Sequence, residues 1–356
     1  MHVRDIVFKA DSVLFNDQLQ FVGALKHMAA KEASGFEIRH AAAARVVVND
    51  TITGLYGMQL ETAGSVLGDT VVLKYNTYRD YNKFVDNVSL DLRLKKGSRL
   101  LLGDVTCFSA PLARNLFFQN NFKKEANLEG WINGPINRLN GRNMLLEVGN
   151  STYFEGEFDL DDIAEGPDRM RLQFDCKQLQ SNMKTLRSII PGFNAPAQFD
   201  EVGNFSFSGS YQLLFGFNHI VSGNLNSDVG YGKVDMELDL TEGRDRATYS
   251  GQLNLKDFDV AAWTGNKAFG RSAFQVTIAE GSSGLRLASL KTTVTGKVDT
   301  LYFKGYPYKD IDMDAQFNSY DFTGKIAVND PNFNVVIDGR ADLSDSVKYC
   351  EISGQV

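Results

Sequence analysis

Apolar and polar residues alternate along most of this chain. Val88, Leu90, Leu92 and Leu94 are separated by Ser89, Asp91 and Arg93. Val234, Met236, Leu238 and Leu240 alternate with Asp235, Glu237 and Asp239. Ile311, Met313, Ala315 and Phe317 alternate with Asp312, Asp314 and Gln316, and Phe333, Val335 and Ile337 alternate in part with Asn334 and Asp338. Successive strand side chains point to opposite faces, so each run predicts a strand with one apolar and one wet face. Parallel sheets read as continuous apolar runs, so this alternation predicts an antiparallel sheet. Asn140-Gly141, Gly149-Asn150, Gly223-Asn224, Gly230, Glu242-Gly243, Glu280-Gly281 and Asn329-Asp330-Pro331-Asn332 read as turns between the runs. At the usual spacing of short strands, roughly twenty fit the length, in a sandwich, barrel or solenoid. Hairpin-like segments recur in the second half as a loose repeat without a fixed period. The fold class is all-β.

Three short helices interrupt the strands. Ser109-Ala110-Pro111 opens the first, with Leu112, Leu116 and Phe117 on one face. Leu179, Met183, Leu186 and Ile190 mark the second at helical spacing, stopped by Pro191-Gly192. Asp259 caps a third turn holding Val260 and Trp263. Each is too short to stand alone and must pack on the sheet.

Composition narrows the class. The chain is 43% hydrophobic and 23% charged, which suits a globular protein rather than a disordered chain or a membrane bundle. No stretch reaches the roughly 20 apolar residues that a membrane helix needs. The start, Met1-His2-Val3-Arg4-Asp5, runs into the strand-like Ile6-Val7-Phe8 without a signal peptide. Both ends read as cut, as in an internal segment of a longer protein. Net charge is −7 and the basic residues are scattered, whereas a nucleic-acid partner needs a clustered basic face. The 3 cysteines, Cys107, Cys176 and Cys350, read as small hydrophobes. A Cys107–Cys176 or a Cys176–Cys350 disulfide is the alternative. No C-x-x-C pair is present, which argues against a zinc or redox site.

Convergent chemistry is missing from the sequence. His2, His27, His40 and His219 show no metal-ligand spacing, and His219 reads as solvent-facing. Gly281-Ser282-Ser283-Gly284 is one residue short of a nucleophile elbow. No phosphate-binding glycine loop is present. Asp310, Asp312 and Asp314 resemble the start of a calcium loop, but Ala315 stands where that loop needs glycine, so they read as the wet face of a strand. Asp159, Asp161 and Asp162 read the same way. Neither an enzyme nor a cofactor is expected. What remains is apolar surface. Two such faces can close as an ordinary sandwich core, or one can hold an acyl chain; periodicity does not separate the two.

A family resemblance bears on that choice. Lys31-Glu32-Ala33-Ser34-Gly35-Phe36 leads to Leu60-Glu61-Thr62-Ala63-Gly64-Ser65-Val66-Leu67 and Leu73-Lys74-Tyr75. Leu128-Glu129-Gly130, Gly134, Leu139, Leu145 and Gly149 follow. Then come Tyr249-Ser250-Gly251-Gln252-Leu253 and Phe258-Asp259-Val260. The last are Gly305-Tyr306-Pro307-Tyr308-Lys309-Asp310-Ile311, Phe322-Thr323-Gly324, Asp330-Pro331-Asn332-Phe333 and Gly339-Arg340-Ala341-Asp342-Leu343. Their serial order, over essentially the whole chain, resembles the TamB/AsmA-like proteins of Bacteroidota, the translocation and assembly module family.

The resemblance implies an elongated, mostly antiparallel stacked sheet folded into a taco-like hydrophobic groove. In that family the groove lies in the periplasm, in a protein anchored to the inner membrane. It is thought to conduct phospholipid passively between the membranes. The family is also linked to outer-membrane protein and autotransporter assembly. Its membrane helix and partner-docking domain are absent from this sequence, so a barrel assembly partner is expected to engage through parts missing here. Residues 1–356 are then one groove segment, with approximate sub-units 1–108, 109–192 and 193–356. The expected partners are phospholipid acyl chains. The groove candidates are Val234, Met236, Leu238, Leu240, Leu253, Leu255, Ile311, Met313, Phe317, Phe333, Val335 and Ile337. An assembly scaffold offering sheet edges is the second reading, an ordinary β-sandwich module the third, and an outer-membrane barrel a further alternative.

Overall fold

The computed structural model describes residues 3–16, 20–32, 35–108, 113–114, 116–163, 165–166, 168–189, 197–342, 344 and 349–355. Met1-His2, Ala33-Ser34, Ser109 to Leu112, Ile190 to Gly192 and Leu343, named above, lie outside the described residues. The described residues form 21 strands, and every strand pairing among them is antiparallel. The protein is all-β, as the alternation predicts. The chain divides into two compact units, Met1–Asn194 and Ala195–Val356.

The first unit is a meander in which each strand pairs with the next, except that β5 and β6 both pair with β4 and β7 rather than with each other. Its strands are β1 (Val3–Phe15), β2 (Phe21–Glu32), β3 (Glu37–Val48), β4 (Ile52–Thr62), β5 (Val66–Leu67), β6 (Asp69–Lys74), β7 (Ser89–Leu101), β8 (Glu125–Pro135), β9 (Arg138–Val148), β10 (Thr152–Asp161) and β11 (Arg171–Asn182). The short β5 and β6 share the place between β4 and β7. Register carries one apolar row across the sheet. Leu55 faces Val71, which faces Leu92, then Ile132, Gly141, Phe158 and Phe174. Residues directly opposite share a face, so the row is a property of pairing. A second cluster holds buried Leu25, Ala41 and Ala43, with Met28 and Leu60 against them.

The second unit is a meander of β12 (Asn204–Leu214), β13 (Asn218–Ser227), β14 (Gly230–Asp239), β15 (Thr248–Asp259), β16 (Arg271–Ser283), β17 (Lys291–Phe303), β18 (Tyr306–Asn318), β19 (Asp321–Asp330), β20 (Phe333–Asp342) and β21 (Tyr349–Gln355). Its buried side chains include Phe205, Phe207, Leu213, Val229 and Ala247, and, farther along, Ile311, Val328 and Val335.

Among the described residues the α-helices include α1 (Phe84–Asn87), α2 (Leu102–Val105), α3 (Leu116–Asn121), α4 (Met183–Ile189) and α5 (Val260–Thr264). The third predicted turn is α5: Asp259 Oδ1 accepts the Ala262 N–H at 2.9 Å, and Gly265 ends the turn at φ 70°. The second needs correction. Leu179 belongs to β11, opposite Phe154, and the helix begins only at Met183. Asn182 caps that helix by accepting the Thr185 N–H at 2.9 Å.

Three glycine turn signals also need correction. Asn140-Gly141 lies inside β9, Gly223-Asn224 inside β13 and Glu280-Gly281 inside β16. Gly281 serves an irregular stretch of β16 at φ 81°, where the register with β17 shifts between Ile278 and Ser283, and Gly141 makes room for the Phe158 ring; at Gly223 the reason is close approach of the neighbouring strand. Gly209 and Gly223 face each other across β12 and β13. A Cβ on Gly209 would overlap the Ser222 carbonyl oxygen, and its φ of 146° disfavours any side chain. A Cβ on Gly223 would sit 2.8 Å from the Phe207 ring. Glycine inside a strand marks such an irregularity or approach rather than a chain reversal.

Neither candidate disulfide is formed; all three cysteines are free, with Cys176 buried and Cys107 and Cys350 exposed. Burial pushes the Cys176 thiol up to about 12, and Asp175 adds to the effect. Two outcomes are expected. In the native protein an alkylating reagent labels the exposed Cys107 and Cys350, and Cys176 only after denaturation, as counted by intact-mass spectrometry. Gly209→Val lowers the unfolding free energy by about 3 kcal/mol, read from the denaturation midpoint.

Candidate apolar binding face

The groove candidates all lie in the second unit, and register brings most of them onto one face. Val234 stands opposite Leu253, Met236 opposite Gly251, and Gly232 opposite Leu255. Leu253 then faces Val276, and Leu255 faces Phe274. Those meet Gly296 and Val298. Gly296 faces Met313, and Val298 faces Ile311. Met313 meets Ile326, Ile311 meets Val328, and Phe317 meets Phe322. Ile337 and Val335 close the rows against Ile326 and Val328. Segments far apart in sequence thus present one apolar surface.

Two candidates fall outside the rows. Leu240 lies beyond β14, where its N–H donates to the Phe217 carbonyl at 2.9 Å and its own carbonyl accepts from Gly243. The alternation runs one residue past the strand because a turn begins there. Phe333 opens β20 at the hairpin end, 44% exposed, edge-on to Tyr308 at 6.2 Å.

Burial is uneven along the face. Ile311 and Val335 are buried, whereas Val234, Met236, Leu238, Leu253, Leu255, Met313, Phe317 and Ile337 are half-buried. The opposite face is wet: Asp235, Glu237, Gln252, Gln275, Thr277, Lys297, Asp312, Asp314, Lys325 and Asp338 are exposed. Asp310, read as wet-face carboxylate, sits at φ 55° and pairs with Lys297 Nζ at 2.6 Å. Ring pairs stand along the face and its ends: Phe317–Phe322 at 5.1 Å, Phe258–Phe274 at 5.8 Å, and Trp263 of α5 against Phe258 at 6.0 Å.

Several members of the rows were missed in the sequence: Tyr211, Val221, Phe274, Val276, Ile278, Val294, Val298, Ile326 and Val328. Phe274, Val276 and Ile278 alternate with Gln275 and Thr277, which is a legible signal. Others stand next to interior glycines, which break the apolar run.

His219 is the main chemical surprise. It faces Leu213 on one side and Leu238 on the other, on the apolar face, so the solvent-facing reading is corrected. Its Nδ1 lies 3.0 Å from the Tyr211 hydroxyl oxygen. Burial holds the His219 imidazolium below its ordinary range, against the opposing pull of Asp239, and burial drives the Tyr211 hydroxyl well above the tyrosine range. In the first unit, pairing of β2 with β3 brings His27 and His40 together, Nδ1 to Nδ1 at 2.8 Å, a meeting that their sequence spacing does not reveal. Among the described residues, no group of three or more His, Cys, Asp or Glu is arranged to hold a metal ion. No described helix is long and apolar enough to cross a membrane.

The fold and this face define an all-β, antiparallel-sheet protein with an apolar surface that its second unit does not fully bury. Compared with protein-family models, curated proteins and solved structures, the chain matches none.

A charge separates the two faces experimentally. Met236→Asp lowers the unfolding free energy by about 2–4 kcal/mol, because the carboxylate enters apolar rows without a partner. Thr277→Asp, on the wet face, stays within about 0.5 kcal/mol of the parent in the same denaturant titration.

Proposed function

We propose that this chain is a segment of a TamB/AsmA-like lipid conduit, in which the apolar face carries phospholipid acyl chains passively through the periplasm between the two membranes. One observation carries the reading. Rows of Val, Leu, Ile, Met and Phe, interrupted at Gly251 and Gly296, run from β14 to β20; Val234, Met236, Leu253, Phe274, Val276, Val298 and Met313 in them are half-buried rather than sealed, while Ile311, Val328 and Val335 are buried. An ordinary sandwich core buries its central rows.

The energetics suit passive movement. Each methylene withdrawn from water contributes roughly 0.8 kcal/mol. Strands repeat about every 4.8 Å, so a chain that moves by one strand exchanges one set of aliphatic contacts for a nearly identical set. The free-energy profile along the rows is then flat, and diffusion needs no energy source within the segment.

A second reading rests on a different observation. Strand β1 pairs with β2 and with no other described strand, and it exposes Ile6 at 64%, Phe8 at 60% and Leu14 at 71%. An open apolar edge can template an added strand, which suits an assembly scaffold for outer-membrane proteins.

One experiment addresses both readings. Photo-crosslinkers placed at Met236 and at Phe8 are activated in cells, and the adducts are analysed by mass spectrometry. The conduit reading expects phospholipid adducts at Met236, and phospholipid in the solvent extract of protein purified without detergent. Lipid-free protein with no adduct at Met236 overturns it. Adducts from Phe8 to nascent barrel strands favour the scaffold.

A further inference from the structure

The rows of the second unit hold one polar pair at their β12–β13 end. Tyr211 faces Val221, which faces Met236; His219 faces Leu238. The pair therefore shares the face of the apolar rows. Among the described residues of those rows, His219 is the one side chain able to carry a positive charge. Its neighbours across the sheet, Leu213 and Leu238, are aliphatic. Its Nδ1 is engaged by Tyr211, while its Nε2 has no hydrogen-bond partner among the described residues and is not sealed from solvent.

The chemistry of the pair is directional. When the Tyr211 hydroxyl donates to Nδ1, the neutral imidazole keeps its proton on Nε2. An N–H donor then stands free at the end of an aliphatic surface. Water meets this donor while the face is empty; a ligand that covers the face displaces that water and must supply an acceptor in its place. The complementary ligand has an oxyanion at one end and hydrocarbon at the other.

We propose that Tyr211 and His219 form a headgroup station, in which His219 Nε2–H donates to the phosphate oxygen of a phospholipid whose acyl chains lie along the rows of Val234, Met236 and Leu253. Tyr211 is a positioning residue that sets the tautomer and aims the ring. The station rests on the conduit reading: it gives that uniform face one place where a lipid has a preferred register. A hydrogen bond to a charged phosphate is stronger than one to a neutral ester.

The test is calorimetric, on the whole chain. The protein is titrated with a short-chain phosphatidylglycerol below its micelle concentration, with the diacylglycerol of the same chains, and with glycerol phosphate. Phosphatidylglycerol is expected to bind about tenfold more tightly than diacylglycerol. His219→Gln and Tyr211→Phe each lose affinity for phosphatidylglycerol by more than for diacylglycerol, by about that factor. Gln252→Ala, on the wet face, changes neither. Nitrogen-15 spectra of the His219 ring place the proton on Nε2 and show it shifting when phosphatidylglycerol is added.

Equal affinity of the parent protein for both lipids overturns the station and leaves the apolar face standing as a lipid surface. Equal losses for both lipids in the two variants also overturn it, because the pair is then only structural. Glycerol phosphate binding as tightly as phosphatidylglycerol overturns the lipid as occupant. Binding of neither lipid removes the conduit reading and the station with it.

Discussion

Antiparallel register is the constraint on which the rest of this structure depends. A strand side chain has only two directions, so pairing decides whether the apolar positions of one strand meet those of the next. In the second unit Val234, Leu253, Val276, Met313, Ile326 and Ile337 belong to segments far apart in sequence, yet the ladder places them in or beside the same rows. A slip of one residue in any pair would bring Asp235, Asp312 or Asp338 onto that face. Burying an unpartnered carboxylate costs several times what a half-buried Val or Met gains, so the register is strongly specified.

The interior glycines belong to the same constraint. A sheet that presses backbone against neighbouring backbone, or an aromatic ring against the opposite strand, has no room for a Cβ at the contact. Gly209 and Gly223 take that role beside Phe207, and Gly141 does so beneath Phe158. Each weakens its strand by roughly 0.5–1 kcal/mol relative to alanine, a cost offset by the hydrogen bonds and ring contacts that the approach permits. The short helices stand in a similar relation to the sheet. At five residues, α5 has no independent stability, so its Asp259 cap and the packing of Trp263 on Phe199 and Phe258 hold it in place.

The two faces of the sheet solve different problems. On the wet face, ion pairs such as Lys297–Asp310 and Arg340–Asp321 are exposed and contribute about 1 kcal/mol or less each. Their larger effect is to keep that face in water and so to fix which side is inward. On the apolar face polar groups are few, and the Tyr211–His219 pair stands out because its surroundings are aliphatic. Burial there acts on both partners in the same sense, favouring the neutral imidazole and the neutral phenol.

Much of this was legible in the chain itself. Alternation at Val234–Leu238, Ile311–Phe317 and Val335–Ile337 determined the strands, their antiparallel pairing and the apolar side of each, because side-chain direction in a strand is a local property. Asp259 announced α5 for the same reason: a cap is made within a few residues. Other features depended on partners distant in sequence. Gly141 and Gly223 read as turns until the opposite strand showed what their missing side chains make room for. Leu179 has helical spacing with Met183 and Leu186, but pairing with Phe154 holds it in β11. His219 looked solvent-facing beside its neighbour Asn218, and only the pairing of β12, β13 and β14 turned it toward Tyr211 and Leu238. The sequence by itself determined which residues are apolar and which way each strand faces; the tertiary structure decided which of them meet, because contacts across a sheet are set by register and not by spacing along the chain.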